Sequence, residues 1–356
     1  MNWQDNLKSM RMESTECIPV SVGILPSAWI KYREKLDAIV KRHPVLFGED
    51  KNKKDYDAVS GTYVAGAHVD AWGCVWENVH HGQEAIVTKH PVPTREDVCK
   101  LKAPDKDMGL PHGCMYLRLA DLRGFEELMT DFAEEPPELQ MLIDIVLKYN
   151  LRQCDIWLGK QTEKGPMFSV GDDLGMQHSL AIGPEKWRKY LKPCFMQLYQ
   201  PVKQAGHYVY MHTDGMIYEI IPDLIEIGLD VLNPIQCNCV GMDPLDLKRE
   251  FGSKLAFMGG VDTQGVLPQG TVNEVRAATS RLLEGMCADG GGYILAASHT
   301  IPPETPLANI FAMYEVAGIS ESEIHDRAAS LRKNLAERRN NEHTHAEFDA
   351  SWADQL

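Results

Sequence analysis

The chain has 356 residues, 44% of them hydrophobic and 24% charged, and a formal net charge of −15. It is long enough to bury a large core without staples, and an acidic balance of this size argues against nucleic acid or an anionic membrane as the main partner, because phosphate binding needs concentrated Lys and Arg. The nine cysteines are odd in number and scattered, Met1-Asn2-Trp3-Gln4-Asp5 has neither a basic nor an apolar leader, and no apolar run nears the roughly 18 residues of a membrane helix, so a cytoplasmic, reducing location with free thiols is expected.

Ile18-Pro19-Val20-Ser21-Val22 reads as a first strand, and the Gly23-Ile24-Leu25-Pro26 that follows is not the glycine fingerprint of a dinucleotide-binding sheet. Residues 62–93 break the pattern of the rest of the chain. Tyr63-Val64-Ala65-Gly66, Trp72-Gly73-Cys74-Val75-Trp76 and Glu84-Ala85-Ile86-Val87 look like antiparallel β segments that could form a flap. Met115-Tyr116-Leu117-Arg118-Leu119 reads as a strand, followed by helices over 124–135 and 137–149, a strand at Met167-Phe168-Ser169-Val170, and a helix from Pro184 to Ala205.

The next units are clearer. Tyr208–His212 is a strand, Asp214-Gly215 a turn, and Ile217 to Gly228 a helix with Gly228 past its end. Val231–Ile235 is a strand, 244–251 a helix, Leu255–Gly260 a strand, 271–287 a helix, Tyr293–Ala297 a strand, and a last helix starts near Leu307. Strands that are apolar throughout and alternate with helices imply a parallel sheet buried on both faces. The expectation is an α/β chain: one (β/α)8 TIM barrel over residues 1–356, with an antiparallel β insertion near the N-terminus and a charged helical extension from about 319.

In such barrels the chemistry sits at the C-terminal ends of the strands. The side chains there are Asp172 and Asp173, His212 and Asp214, Asn233 and Gln236, Asp262 and Gln264, and Ser298 and His299. His212 and Asp214 stand two apart, so an extended chain points both to one side. With His299 they could hold a metal and leave a coordination position open, or they could simply hydrogen-bond each other. Asp172 and Asp173 suit a general acid/base pair, or a helix cap and a solvated neighbour. Cys237-Asn238-Cys239 has no second cysteine pair nearby and is a weak zinc signature. Trp72, Trp76 and Glu77 belong either to a substrate-closing or docking flap, or to its packing on the barrel.

Three stretches carry a family likeness: Asp223-Leu224-Ile225-Glu226-Ile227-Gly228-Leu229-Asp230-Val231-Leu232-Asn233-Pro234-Ile235-Gln236; Gly259-Gly260-Val261-Asp262-Thr263-Gln264; and Gly291-Gly292-Tyr293-Ile294-Leu295-Ala296-Ala297-Ser298-His299-Thr300-Ile301-Pro302-Pro303-Glu304-Thr305-Pro306. With Asp70–Asn78 they resemble the uroporphyrinogen decarboxylase superfamily over roughly residues 60–318. The arginine-bearing N-terminal run of the decarboxylase proper is absent, which argues against an acidic tetrapyrrole substrate. The other branch is the corrinoid-dependent methyltransferases, whose zinc-binding members carry His-x-Cys at the place of His212-Thr213-Asp214 and a later Cys near His299.

The resemblance therefore implies an O-demethylase-type methyltransferase. Its metal, zinc, would be held by His212, Asp214 and His299 in place of a thiolate set. Asp172, Glu77 and Asp214 would be the catalytic side chains, and Trp72, Asp173, Asn233, Gln236 and Asp262 the substrate-binding ones. The chain shows no Asp-x-His-x-x-Gly run, so the resemblance implies that the corrinoid is carried on a separate protein. A decarboxylase of another small acid, a barrel without catalysis, and a homo-oligomer stay open.

Overall fold

The computed structural model describes residues 20–21, 23–40, 55–110, 112–288 and 291–317. The expected C-terminal helical extension, and Ile18, Pro19 and Val22 of the expected first strand, lie outside the described residues. Five parallel strands form the frame in the order β4 (Met167–Gly171), β5 (Tyr208–His212), β6 (Val231–Ile235), β7 (Ala256–Gly259) and β8 (Tyr293–Ile294). Parallel bridges continue the sheet at both edges, Val20 beside Leu295 and His112 beside Gly171. The architecture is the expected (β/α)8 barrel class.

Strand periodicity decides what faces where. Phe168, Val170, Val209, Met211, Leu232 and Phe257 point outward into the main core, beneath the helices. The alternate residues Met167, Tyr208, Val231 and Ala256 meet inside the barrel, with Tyr210 and Met258 a layer above. Continuing the alternation puts Gly171 and His212 at the top of the interior.

The helices are α1 (Pro26–Val40), α2 (Tyr116–Arg123), α3 (Phe125–Glu134), α4 (Pro137–Gly159), α5 (Gly183–Lys186), α6 (Lys192–Gln204), α7 (Ile221–Glu226), α8 (Pro244–Phe251), α9 (Val266–Gln269), α10 (Val272–Met286) and α11 (Leu307–Glu315); α1 and α9 are additions to the expected elements, and α4 runs ten residues past its expected end. The single helix expected over 184–205 is broken by a π turn, Trp187–Leu191, between α5 and α6. Pro193 follows directly and has no N–H for a regular helical bond, which a widened turn accommodates. Gly228 takes φ 108 just past the helical segment, as expected of a C-terminal cap.

One element differs in kind. Residues 115–119 are not a strand; they open α2. Gly113 at φ 79 turns the chain, and the buried carboxylate of Asp172 accepts hydrogen bonds from Tyr116 N at 2.5 Å and Leu117 N at 2.8 Å. An acid 55 residues away in sequence thus caps the helix, and the place in the sheet passes to His112.

The insertion is a three-stranded antiparallel sheet, β1 (Gly66–Val69), β2 (Val75–Asn78) and β3 (Ile86–Lys89), two or three residues later than expected in each strand. Trp72 pins it to the barrel: its ring meets Tyr149 of α4 edge-on at 5.1 Å, and the Arg118 guanidinium lies 5.8 Å from its centroid. Asp70 accepts from Trp76 Nε1 at 3.1 Å and from Arg118 at 3.0 Å.

Where α2 meets α3, Asp131 accepts from Arg123 Nε at 2.8 Å and Arg95 Nε at 2.7 Å, and the Arg123 side chain is only 3% exposed. Removing one partner of a buried charge leaves the other uncompensated, so Asp131→Ala should lower unfolding stability by about 3 kcal/mol in urea titration. A loss under about 1 kcal/mol would mean that Glu127 and the Pro93 carbonyl satisfy Arg123 by themselves.

Candidate active site

The register of β4, β5 and β6 sets Gly171, His212 and Asn233 side by side. Asn233 Oδ1 takes a hydrogen bond from the Tyr210 hydroxyl and lies 3.0 Å from His212 Nδ1. An amide oxygen can only accept, so this contact assigns the His212 proton to Nδ1 and leaves the Nε2 lone pair facing the barrel mouth. Nε2 has no hydrogen-bond partner among the described residues, and neither has Asp214 Oδ1.

Past the strand end the chain stays extended. Thr213 is fully buried on the opposite side and its Oγ1 accepts from Leu174 N at 3.1 Å. His212 and Asp214 therefore share one side, as their spacing requires. Asp214 Oδ2 lies 3.0 Å from His299 Nε2 and 3.8 Å from His212 Nε2. Two neighbours fix the Asp214 backbone: Asp173 Oδ1 accepts Asp214 N at 3.2 Å, and Gln236 Oε1 accepts Gly215 N at 2.8 Å. The loops after β4 and β5 also touch through two glycines, where a Cβ on Gly215 (φ +87) would stand 2.2 Å from the Gly175 carbonyl carbon.

His112, which the sequence reading passed over, joins this group. Its Nε2 is 3.5 Å from Asp173 Oδ2, and its ring lies edge-on to His212 with centroids 4.6 Å apart. The strand reading of 115–119 hid it, because it placed the strand end downstream of His112. The nearest signal is Gly113, whose turn ends the extended chain one residue later. The cluster thus holds two overlapping sets of donor atoms, His212–Asp214–His299 and His112–Asp173–His212, each within 4.8 Å.

The electrostatics follow from crowding. Burial alone would push the Asp214 carboxyl up, but His212 and His299 outweigh it and hold it well below the usual carboxylate range. The hydrogen bond to Asp214 outweighs burial at His299 and lifts it to about 9. Burial pulls His212 down, yet Asp214 and Asp173 prevail and leave it raised. At His112 burial wins and the value is lowered, while burial and the Asp214 charge push Asp173 up. Glu84, in the connection between β2 and β3, pulls upward on both His112 and His299, which places that end of the flap beside the mouth.

The other expected site residues lie elsewhere. Asp172 is fully buried with both carboxylate oxygens on the α2 amides, and burial raises it to about 7. Glu77 is exposed in β2, and among the described residues no hydrogen bond or ion pair ties it to the cluster. Trp72 packs the flap down. Asp262 caps α9 by accepting from Gln264 N, Gly265 N and Val266 N, and lines a separate cleft of about 490 Å³ with Cys237 and Arg281. Burial first, then Asp262, raises the Cys237 thiol to about 12, far from the thiolate a metal needs.

A parallel barrel with ionisable side chains gathered at one strand-end rim is the architecture of an enzyme of the (β/α)8 class. Residues 114–318, more than half of the chain, match the model of the uroporphyrinogen decarboxylase (URO-D) family, and the chain belongs to that family. It is 23% identical to methylcobamide:CoM methyltransferase MtbA of Methanosarcina mazei over 290 residues, 74% of this chain and 79% of that protein. It is 30% identical to uroporphyrinogen decarboxylase of Thermus thermophilus over 142 residues, 38% of this chain and only 37% of that protein's length. The structure of a methyltransferase from Methanosarcina mazei superposes with a TM-score of 0.60 at 17% identity, covering 88% of this chain and 97% of that one, which shows a shared fold.

The donor chemistry fits a divalent metal: an imidazole with its lone pair free, an ionised carboxylate with an unengaged oxygen, and a second imidazole on it. Purified protein should carry about one zinc per chain and lose it in His212→Ala. Asn233→Ala, which removes the partner of Nδ1, should weaken metal binding about 10–100-fold in a competitive chelator titration. Gly215→Ala should displace Asp214 and weaken binding too; retention of metal affinity in that variant would show that the two loops can part without moving the carboxylate.

Proposed function

We propose that the chain is a methyltransferase that removes the methyl group of a small methoxylated compound, aromatic in class, and passes it to the reduced cobalt of a corrinoid held by a separate protein. The observation that carries this reading is the thiolate-free donor set at the rim, His212, Asp214 and His299, in a chain related over most of its length to a methylcobamide:CoM methyltransferase. Thiolates on a metal suit the methylation of sulfur. Two neutral imidazoles and one carboxylate around a divalent ion leave a net positive centre, and that ion would supply Lewis acidity to a departing oxygen.

The transfer balances without a further reactant. The electron pair of cobalt(I) forms the new bond to the methyl carbon, the carbon–oxygen bond breaks, and its pair stays on oxygen as a phenolate that then takes a proton. In this reading His212, Asp214 and His299 orient the methoxy oxygen at the mouth, Asn233 keeps His212 in the right tautomer, and Asp173 and Gln236 hold the Asp214 backbone. Neither Asp172 nor Glu77 serves as the acid, since one caps α2 and the other stands apart. Apolar residues are exposed on two segments, Ile86 and Val79 on the flap and Met176 and Val240 on the loops after β4 and β6. They offer a surface for a docking protein.

No helix among the described residues is long and apolar enough to cross a membrane. The test mixes the chain with a reduced corrinoid protein and a panel of methoxyarenes, following the cobalt absorbance. Methyl–cobalt formation with at least one donor, reduced at least about 100-fold in His299→Ala, is expected. No transfer from any donor, together with carbon dioxide release from a small acid, would replace this reading by the decarboxylase one.

A further inference from the structure

The rim cluster is nearly symmetric about His212. Its Nδ1 is committed to Asn233 at 3.0 Å, and its Nε2 stands 3.8 Å from Asp173 Oδ1 and 3.8 Å from Asp214 Oδ2. The ring lies edge-on to His112 at 66° and to His299 at 71°. Each half thus offers one carboxylate and one further imidazole, and the two sets of donors meet at His212 alone. One lone pair takes one ion at a time. Resting on the metal-binding reading above, we infer that His112, Asp173 and His212 form a second seat for a divalent ion, filled in alternation with the seat at His212, Asp214 and His299.

The second seat is built by the end of β4 and the turn before α2. Gly113 N and Cys114 N both donate to Gly171 O, at 2.8 and 2.9 Å, which draws His112 against the strand. Gly171 leaves the space for it: a Cβ there would stand 2.8 Å from His112 Nδ1 and 3.2 Å from its Cα. With Nδ1 against the strand, Nε2 is the nitrogen that meets Asp173, 3.5 Å from Oδ2. Asp173 is held in turn from β5, since Asp172 N donates to His212 O at 2.8 Å and Asp173 Oδ1 accepts Asp214 N at 3.2 Å.

The two seats share their donor chemistry and differ in how open they stand. Bonds of about 2.0–2.2 Å at tetrahedral angles set two ligand atoms roughly 3.4 Å apart. Across the second seat Asp173 stands 3.5 Å from His112 and 3.8 Å from His212, close to that spacing. At the first seat Asp214 Oδ2 and His299 Nε2 close to 3.0 Å on one another and must part to admit an ion. An incoming ion therefore finds His112, Asp173 and His212 already spaced to receive it, on the side where His112 is half exposed. Passing to the first seat breaks the Asp214–His299 contact, with His212 as the pivot. Two imidazoles and one carboxylate suit zinc, iron and nickel ions at either position.

Cobalt(II) titrated into the metal-free full-length chain against a competing chelator reads stoichiometry and affinity, and its visible absorption reads the ligand set. One cobalt per chain is expected for the parent. His112→Ala and His299→Ala should each still bind one cobalt, with absorption bands that differ from one another. The double variant should bind as poorly as His212→Ala, more than about 100-fold below the parent and beyond the cost of losing a supporting residue. Asp173→Asn in the His299→Ala background should bring the same loss, since the amide keeps an oxygen for Asp214 N but gives up the charge. His112 is half exposed, and its removal should leave the circular dichroism unchanged. Binding in His299→Ala as poor as in His212→Ala, with parent affinity and spectrum in His112→Ala, would overturn the second seat and leave the first standing. Two cobalt ions per chain would overturn the alternation. No binding of cobalt or zinc by the parent chain would remove both seats, and the methyl-transfer assay would then decide the function separately.

Discussion

Gly171, His212 and Asn233 occupy equivalent places on three adjacent parallel strands, and the rest of the rim is built out from that row. In this row a slip of one residue would turn every side chain to the other face. In the observed register Tyr210, His212 and Asn233 all look inward, so the imidazole can be braced by the amide and the amide by the phenol. His112 lies over the glycine on one side, and Asp214 follows two residues beyond the histidine. The imidazole of these three strands is thereby carried at the last inward layer.

The fixing of the acids is a backbone matter. Asp214 is held through its own amide, through Gly215 N, and through the close contact of Gly175 with Gly215. Its carboxylate is thus free to face the two imidazoles, which keep it ionised. Groups that recognise the chain's backbone and groups that face the mouth are different atoms of the same few residues, so Asp173 and Gln236 are as much part of the frame as of the site.

Much of this was legible in the sequence because it follows from periodicity. The strand–helix alternation from residue 167 onward gave nearly every element, and the two-residue spacing of His212 and Asp214, with His299 at another strand end, picked out the central cluster. Asn233 was visible as a polar residue inside an apolar strand. What escaped depends on contacts between distant segments. The stretch 115–119 is apolar enough for a strand, but Asp172 caps it into a helix from across the barrel. The same contact engages both carboxylate oxygens of Asp172. His112 was missed as a direct result, and the exposure of Glu77 in β2 was not legible, since nothing local distinguishes an exposed flap strand from one that folds over the mouth. Trp72 was equally ambiguous in the sequence, and its contacts are with Tyr149 and Arg118.

Gly171 has a consequence for anyone wishing to make the protein more robust. Its backbone is ordinary strand, and no left-handed torsion protects it. A glycine inside a strand is destabilising by roughly 0.5–1 kcal/mol relative to alanine, so any stability-guided redesign would choose this position early. Alanine there would fill the upper layer of the barrel and push His112 off the strand end. At residue 171 the propensity gain is therefore set against that displacement, and a variant there has to be judged by ligand binding as well as by melting temperature.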